Sequence, residues 1–399
     1  SETMVSGPLQ GLRILDLSRI LAGPSCTQML GDLGAEILKI EKPGIGDDTR
    51  QWGPPYIPPK HGGTPTESAY YLSANRNKQS VAIDMATAEG QRKIKQLMAS
   101  CDVVIENFKP GGLEKYGLSY RQLADTFPGL VWCSISGFGQ TGPNAHRPGY
   151  DLLAQGYGGL MSITGERDGE PMKVGVGITD LCTGLHAAIA ILAALRHRDT
   201  TGEGQQIDLA LVDVQMAMLA NQGTNYLVSG ISPIRAGNQH PNIVPYQVFS
   251  VKDGHVIVAV GNDAQYQRFC GLIGRDDLAS NPRFINNKLR VENRKELIAI
   301  LSSELVNFSR DPLLDGMEKL GIPGGPINTV EQVFTSDQAR ARGMRIEMEH
   351  PGAASGTVPL IGNPIKLSRT PVSYRHAPPL CGADTDSVLN ELLNKNEPV

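Results

Sequence analysis

The sequence predicts an α/β fold: a large, doubly wound domain on a parallel sheet, joined to a smaller α+β domain. Three observations carry that expectation. The first half alternates short β-branched runs with segments of helical periodicity, the pattern of a parallel sheet covered by helices. The chain has 399 residues, enough to bury a large core and more than one domain ordinarily holds. Beyond about residue 226 the texture changes to a hairpin pattern followed by mostly helical sequence.

In chain order, Gly11 to Leu17, Glu36 to Ile40, Ser80 to Met85, Asp102 to Phe108 and Leu130 to Ser136 read as strands. Between them, Pro24 to Leu33 and Thr87 to Ser100 have helical spacing, and Ala86-Thr87-Ala88-Glu89 resembles a capping signal. In such a Rossmann-like half, ligands settle at the carboxyl ends of the strands, here Ser18 to Pro24, Glu41 to Asp48, Asn107 to Gly112 and Gly137 to Asp151. From Asp180 to His197 the chain is nearly apolar on every face, which predicts a buried helix. A turn at Gly202-Glu203-Gly204, a strand from Gln205 to Leu209 and a long Met- and Ala-rich helix to about Val228 follow. Tyr246 to Val251 and His255 to Val260 flank Lys252-Asp253-Gly254 as a hairpin, and Asp263 to Phe308 is mostly helical. Met344 to Met348 and Thr357 to Leu360 return to strand pattern before a helix from about Thr385. The expected organisation is 1–200 for the first part of the large domain, 201–225 for a linking strand and helix, 226–328 for the small domain and 329–399 for the return to the large one.

Composition narrows the function. The 37 basic residues nearly balance 41 acidic ones and neither sign forms a long block, so no footprint for nucleic acid or an anionic membrane is present. The longest apolar run, Ala187 to Leu195, is far short of the roughly 20 residues that span a bilayer. The polar start Ser1-Glu2-Thr3 is unlike a signal peptide, and a cytoplasmic protein acting on a small molecule is expected. Six dispersed cysteines, with no CxxC pair and no histidine at ligand spacing, predict reduced thiols and no metal site. Cys182, two residues from Asp180, is open to a reactive reading.

Asp180 ends the flexible approach Val174-Gly175-Val176-Gly177-Ile178-Thr179, where the apolar helix begins. Two readings stand side by side. Asp is a favoured N-cap residue, and capping alone explains it. A carboxylate at a helix N-terminus is also held ionised by the helix dipole and is fit to attack an activated acyl group. The Gly-x-Gly stretch lets a ligand approach the backbone, and Gly184, one turn on, keeps space open beside Asp180. His186 falls about 240° around the helix from Asp180 and reads as a core histidine.

Leu21-Ala22-Gly23-Pro24 follows the first strand and opens a helix with Pro24 at its first position. Backbone amides there suit an oxyanion or an amide ligand, and an ordinary tight turn is the plain alternative. Neither G-x-G-x-x-G nor G-K-[ST] is present, which argues against a nicotinamide dehydrogenase or an ATPase. Lys42, Lys78, Lys109, Lys115 and Arg147 qualify by position as phosphate partners of an anionic nucleotide, although each taken singly reads first as a solvated surface charge. Asn107-Phe108 offers an amide and an aromatic face at a strand end. Gly149-Tyr150-Asp151 opens another helix, which Asp151 can cap.

Pieces along nearly the whole chain then match one pattern: Gly11-Leu12-Arg13-Ile14-Leu15-Asp16, Leu21-Ala22-Gly23-Pro24, Leu30-Gly31-Asp32-Leu33-Gly34-Ala35-Glu36, Asn75-Arg76-Asn77-Lys78, Glu106-Asn107-Phe108 and Thr179-Asp180. Together they resemble the class III CoA-transferases, a family that includes formyl-CoA:oxalate, carnitine and succinyl-CoA:glutarate CoA-transferases and α-methylacyl-CoA racemase. The resemblance implies that Asp180 accepts the acyl group, that coenzyme A and acyl-CoA are substrates with no permanently bound cofactor, and that the protein is an intertwined homodimer with its active site between the large domain of one subunit and the small domain of the other. It places Leu21, Ala22, Lys42, Ile83, Asn107, Phe108 and Lys115 at CoA-contacting positions, to which Arg147 is added by charge. Tyr70, Tyr150 and Asp151 fall near the acid substrate. Lys42 and Lys115 stand where the oxalate enzyme has arginine, keeping charge and losing bidentate geometry.

Two departures refine the resemblance. Tyr150 stands where the racemase branch has histidine. The region Ala236-Gly237-Asn238-Gln239-His240-Pro241 replaces a polyglycine lid of the oxalate branch, and Gln239 and His240 within it are taken as substrate-facing. Ile243-Val244-Pro245-Tyr246-Gln247 and Gly46-Asp47-Asp48-Thr49-Arg50 look closest to the succinyl-CoA:glutarate type. A dicarboxylate acceptor with succinyl-CoA as donor is therefore expected. A racemase or epimerase, an oxalate-type transferase and a non-catalytic acyl-CoA binder are the alternatives.

Overall fold

The computed structural model describes residues 7–393, so Ser1-Glu2-Thr3 lies outside the described residues. Strands β1 (Arg13–Asp16), β2 (Glu36–Glu41), β3 (Gln79–Ala82), β4 (Val103–Glu106), β5 (Val131–Ser136) and β6 (Gln206–Ala210) form one parallel sheet in the order β3-β2-β1-β4-β5-β6. Ile14 pairs with Ile37 on one side and with Val103 on the other. Side chains alternate across each strand, so Ile14, Ile37, Val103 and Val131 enter one core, while Leu15, Leu38, Val104 and Trp132 enter the opposite one. The strand order reverses between β1 and β4, and the crevice outside their carboxyl ends is where open sheets of this kind bind ligands.

Helices α1 (Ala22–Asp32), α2 (Ala88–Met98), α3 (Asp151–Tyr157), α4 (Ile178–Thr201), α5 (Leu211–Ala217) and α6 (Ala220–Ser229) follow the strands. The capping signal before α2 is real: Thr87 accepts a hydrogen bond from the Gly90 amide at 3.0 Å. The first core is filled by α1 and α4, the second by α2.

Helix α4 departs from expectation in two ways. It begins at Ile178 with Gly177 as N-cap, so Asp180 lies inside the first turn and is not the cap. Nor is it buried all round. Thr183, Gly184, Ala187, Ile191 and Leu195 are buried, while Leu185, Ile189 and Leu192 on the other side are exposed. With 24 residues, and a mean hydropathy of 1.8 over an 18-residue window within them, α4 is long and apolar enough to cross a membrane. The unbroken run Ala187 to Leu195 understates this because Gly184 and His186 interrupt it without making the helix polar. Its small-residue face packs on α1 and the sheet, as a core helix does. The single long helix expected up to Val228 is two: α5 stops at Ala217, and α6 starts at Ala220, whose φ of 52° cannot continue a right-handed helix.

The chain divides into two compact units. Among the described residues, the first holds 7–160, Lys173–Ile231 and 338–393; the second holds Met161–Met172 and Ser232–Asp337. This differs from the expected 226–328. Helix α6 stays with the first unit, and Met161–Met172 joins the second although its sequence has no periodicity that would assign it. The second unit packs an antiparallel sheet of β7 (Tyr246–Val251), β8 (Gly254–Ala259) and β9 (Gly324–Pro326) against helices that include α7 (Asp263–Leu272), α8 (Arg294–Leu305) and α9 (Arg310–Lys319). Its core is Phe249, Val256, Val258, Phe269, Leu297 and Leu301 among others.

The C-terminal segment adds the antiparallel pair β10 (Arg345–Glu349) and β11 (Thr357–Ile361) and a final helix α10 (Thr385–Leu392), which joins the core beside α2. Asn75-Arg76-Asn77-Lys78 fastens this segment. Arg76 pairs with Asp32 at 2.8 Å, Asn77 at φ 58° donates to Asp32 at 2.8 Å and to the Ser373 carbonyl at 2.7 Å, and Asn363 donates to Asp32 at 2.9 Å. Asparagine tolerates this left-handed conformation better than most side chains.

Candidate active site

A cavity of about 340 Å³ opens at the carboxyl ends of β1, β4 and β5. Leu21, Ala22, Asn107, Phe108, Arg147, Tyr150 and Asp180 all lie on its wall. A second hollow of about 360 Å³, over the ends of β2 and β3, is lined by Lys42, Ile45, Ile83 and Tyr116. Arg19, Asp48 and Phe108 are walls of both, so the two hollows adjoin along one groove.

Asp180 is half-buried in the first turn of α4, and its amide donates to Oδ1 of Asp151 at 2.8 Å. The cap of α4 is thus borrowed from α3. Asp151, which was expected to cap its own helix, follows the N-cap Tyr150 and turns its carboxylate toward α4, while Gln155 Nε2 donates to its other oxygen at 2.6 Å. Burial and the neighbouring Asp151 charge push the Asp180 carboxyl up to about 7. This reverses the expectation of a carboxylate kept ionised by the helix dipole: desolvation beside a like charge outweighs it. The Tyr70 phenol is also pushed up, by burial and then by Asp180 and Asp151, and its ring stands edge-on to Trp52 with centroids 5.2 Å apart.

Gly184 serves a different purpose from the one expected. A Cβ there would lie 2.3 Å from Ser25 Oγ and 2.8 Å from the Ala22 carbonyl, so the glycine lets α4 press against α1 instead of opening space for substrate. Gly177 is the glycine next to the site, with a Cβ position 3.0 Å from Leu21 and 3.6 Å from Asp151.

The turn from β1 into α1 is tightly set. Gly23 meets Ser18, whose Oγ would be 2.0 Å from an added Cβ. Leu21 is the N-cap of α1 without a side-chain cap, and Pro24 is the third helical residue, where it still has no amide to leave unpaired. Asn107 receives the Arg19 amide at 3.1 Å and donates to the Arg19 carbonyl at 2.8 Å, so its amide group clamps this turn. The Arg19 guanidinium lies 5.9 Å from the Phe108 ring centroid and 3.4 Å from Asp48.

Other expected residues fall elsewhere. Lys115 is exposed with its Nζ 5.0 Å from the Tyr116 ring centroid, beside the second hollow. Lys78 is fully buried beneath α1, donating to the Pro24 carbonyl at 2.8 Å and to Asn75 at 3.0 Å, so it meets no phosphate; burial lowers its ammonium to about 7. Gln239 and His240 line a separate cavity of about 1040 Å³ within the second unit, where the His240 ring packs 5.0 Å from Tyr246. The Cys182 thiol is pushed up by burial and Asp151, the opposite of activation, and the His186 ring nitrogen Nδ1 bonds the Cys182 carbonyl of its own helix at 2.7 Å. Arg19 and Asp48 line the groove without having been singled out. Their signal was present, since Arg19 is the basic residue within Ser18 to Pro24 and Asp48 closes Glu41 to Asp48.

A model of CoA-transferase family III matches residues 9–385. A succinate–glutarate CoA-transferase of Agrobacterium fabrum is 48% identical over 386 residues, covering 96% of both chains. The human succinyl-CoA:glutarate CoA-transferase is 44% identical over 390 residues, 98% of this chain and 87% of its own. Among solved structures, a CAIB/BAIF family protein from Brucella suis superposes with a TM-score of 0.90 at 48% identity, covering 97% of this chain and 100% of that one.

Proposed function

The chain belongs to CoA-transferase family III, and from that membership we propose that it moves coenzyme A from succinyl-CoA to a dicarboxylate such as glutarate, with Asp180 carrying first the acyl group and then the coenzyme. It is an enzyme, a CoA-transferase. The observation that carries the mechanism is the setting of Asp180: a half-buried carboxyl raised to about 7, on the wall of a cavity at the point where the strand order reverses. Near neutral pH such a group is about half ionised, and the raised pKa makes its carboxylate a stronger nucleophile than an exposed one.

The Asp180 carboxylate attacks the thioester carbonyl of succinyl-CoA and expels the CoA thiolate, leaving a succinyl–aspartyl anhydride. The thiolate then attacks the Asp180 carbonyl and releases succinate, leaving an aspartyl-CoA thioester. The acceptor carboxylate attacks that thioester, forms a second anhydride and again frees the thiolate. Attack of the thiolate on the acceptor's carbonyl gives the new acyl-CoA and restores Asp180. The backbone at Leu21 and Ala22, on the same wall, suits the developing oxyanion. Lys42, Lys115, Arg147 and the unforeseen Arg19 supply charge for the CoA phosphates, Ile83 and Phe108 supply apolar walls, and Asn107 shapes the turn. Tyr70, Tyr150 and Asp151 surround the acid. Gln239 and His240 belong to this proposal as acid-recognising residues of the second unit.

The intertwined homodimer is part of the same proposal. Leu152, Leu153 and Tyr157 of α3, Leu185 and Ile189 of α4 and Leu227 and Val228 of α6 are exposed, an apolar area that a lone chain rarely leaves to water. Light scattering should give twice the chain mass; a monomer would refute the dimer. For the chemistry, the enzyme mixed with succinyl-CoA and quenched with hydroxylamine should carry a hydroxamate on Asp180 by peptide mass spectrometry. Transfer retained by Asp180→Asn, with no adduct, would overturn the mechanism. A panel of glutarate, itaconate, malate and oxalate as acceptors tests the substrate.

A further inference from the structure

We infer that the buried Lys39–Asp47 ion pair is a positioning device for the active-site groove: Asp47 holds Ile20 in a left-handed backbone conformation and so sets the Arg19 to Ala22 wall of the cavity that Asp180 shares. What that wall binds rests on the CoA-transferase reading.

Lys39 and Asp47 have no exposed side-chain surface, and their charged atoms are 2.8 Å apart. Buried pairs of this kind contribute little net stability, because desolvation offsets the attraction, so the pair's value lies in what else it holds. Both oxygens of Asp47 are engaged. Oδ1 accepts from the Thr49 amide at 3.0 Å and the Thr49 hydroxyl at 2.8 Å, Oδ2 accepts from Lys39, and the Ile20 amide is shared between them at 3.3 and 3.2 Å. Lys39 also donates to the Ser18 carbonyl at 3.3 Å, so the pair grips the turn at both ends. Asp47 is itself fixed, since its amide donates to Glu41 at 2.8 Å and Glu41 is paired with Arg50 at 2.8 Å.

The gripped residue is the wrong type for its conformation. Ile20 has φ 78°, a region that a β-branched side chain enters only under constraint. Released, Ile20 would return to negative φ and swing Arg19 and Leu21 away from the positions that define the groove. Asn107 fixes the Arg19 peptide from the β4 side but makes no bond to Ile20.

Asp47→Asn is the test, because an amide has one acceptor oxygen and, whichever way it turns, sets an NH2 group against donors that Asp47 now accepts. It is combined with Ile20→Gly in a cycle, since glycine adopts this φ unaided. By calorimetry with CoA, Asp47→Asn should weaken binding about tenfold or more when residue 20 is Ile and less than about threefold when it is Gly. An equal loss in both backgrounds overturns the inference, as a general structural defect would not be rescued by glycine. If Asp47→Asn fails to fold, Ile20→Pro replaces it: proline cannot take positive φ and leaves the ion pair intact, and unchanged CoA affinity in a folded protein overturns the inference. If the wild type binds no CoA, the transferase reading fails separately, and the crystal structure of Asp47→Asn decides the positioning role. Ile20 at negative φ supports it; positive φ refutes it.

Discussion

Two carboxylates at the start of α4 divide one task between them. Asp151 accepts the Asp180 amide and keeps its charge close, and that charge together with burial raises the Asp180 carboxyl to about 7. The proposed mechanism requires Asp180 to be ionised, so it predicts that kcat/KM for succinyl-CoA rises with pH through an inflection near 7. Asp151→Asn keeps an acceptor for the amide but removes the like charge, and should move that inflection to lower pH; an unmoved inflection would mean that burial alone sets it. The same shift affects stability. A carboxyl whose folded pKa lies above its unfolded value of about 4 stabilises the fold fully only below that value, and the contribution is lost as pH rises through about 7. Asp180→Asn should therefore melt higher than the wild type at pH 8, by about 2 to 4 °C, with the difference closing toward pH 4. A gap independent of pH in a melting series would contradict this.

Among the elements, the contact between α1 and α4 decides where Asp180 sits. Gly184 faces Ser25 and the Ala22 carbonyl, and while Ser25 can rotate away, the backbone oxygen at 2.8 Å cannot. Gly184→Ala should cost about 1–3 kcal/mol in urea unfolding and lower kcat, because Ala22 lines the cavity and would be pushed into it. An unchanged stability would show that the helices slide apart freely. Asp32, at the far end of α1, is another point where elements meet. Arg76, Asn77 and Asn363 all donate to its buried carboxylate. Asp32→Ala leaves Arg76 unpaired and should cost about 3–5 kcal/mol, seen in urea unfolding, and loosen the segment after Gln338, seen as early cleavage there in limited proteolysis. The motifs Leu30 to Glu36 and Asn75 to Lys78, prominent in the sequence, thus serve the fold and not the substrate.

For the whole molecule, the alternation of β-branched runs and helical periods was enough to place the first five strands of the parallel sheet and their carboxyl ends, because period two and period 3.6 are local properties of the chain; the run from Gln205, expected in a linker, is the sixth strand and pairs with β5. The family was legible for the same reason: short motifs carry their own spacing. Long-range packing was not legible. Ile20 at positive φ gave no local sign, and Lys78 and Gly184 resembled site residues until the facing α1 surface was known. Met161–Met172 carried no periodicity to show that it joins residues 232–337. The raised Asp180 carboxyl required a neighbour 29 positions away in sequence. Local periodicity and motif spacing by themselves determined the strands and the family, and they singled out Asp180 as the proposed nucleophile. Which charges are buried together, and therefore how that nucleophile titrates, only the tertiary structure decided, because desolvation and Coulomb terms depend on distances that the chain closes when it folds.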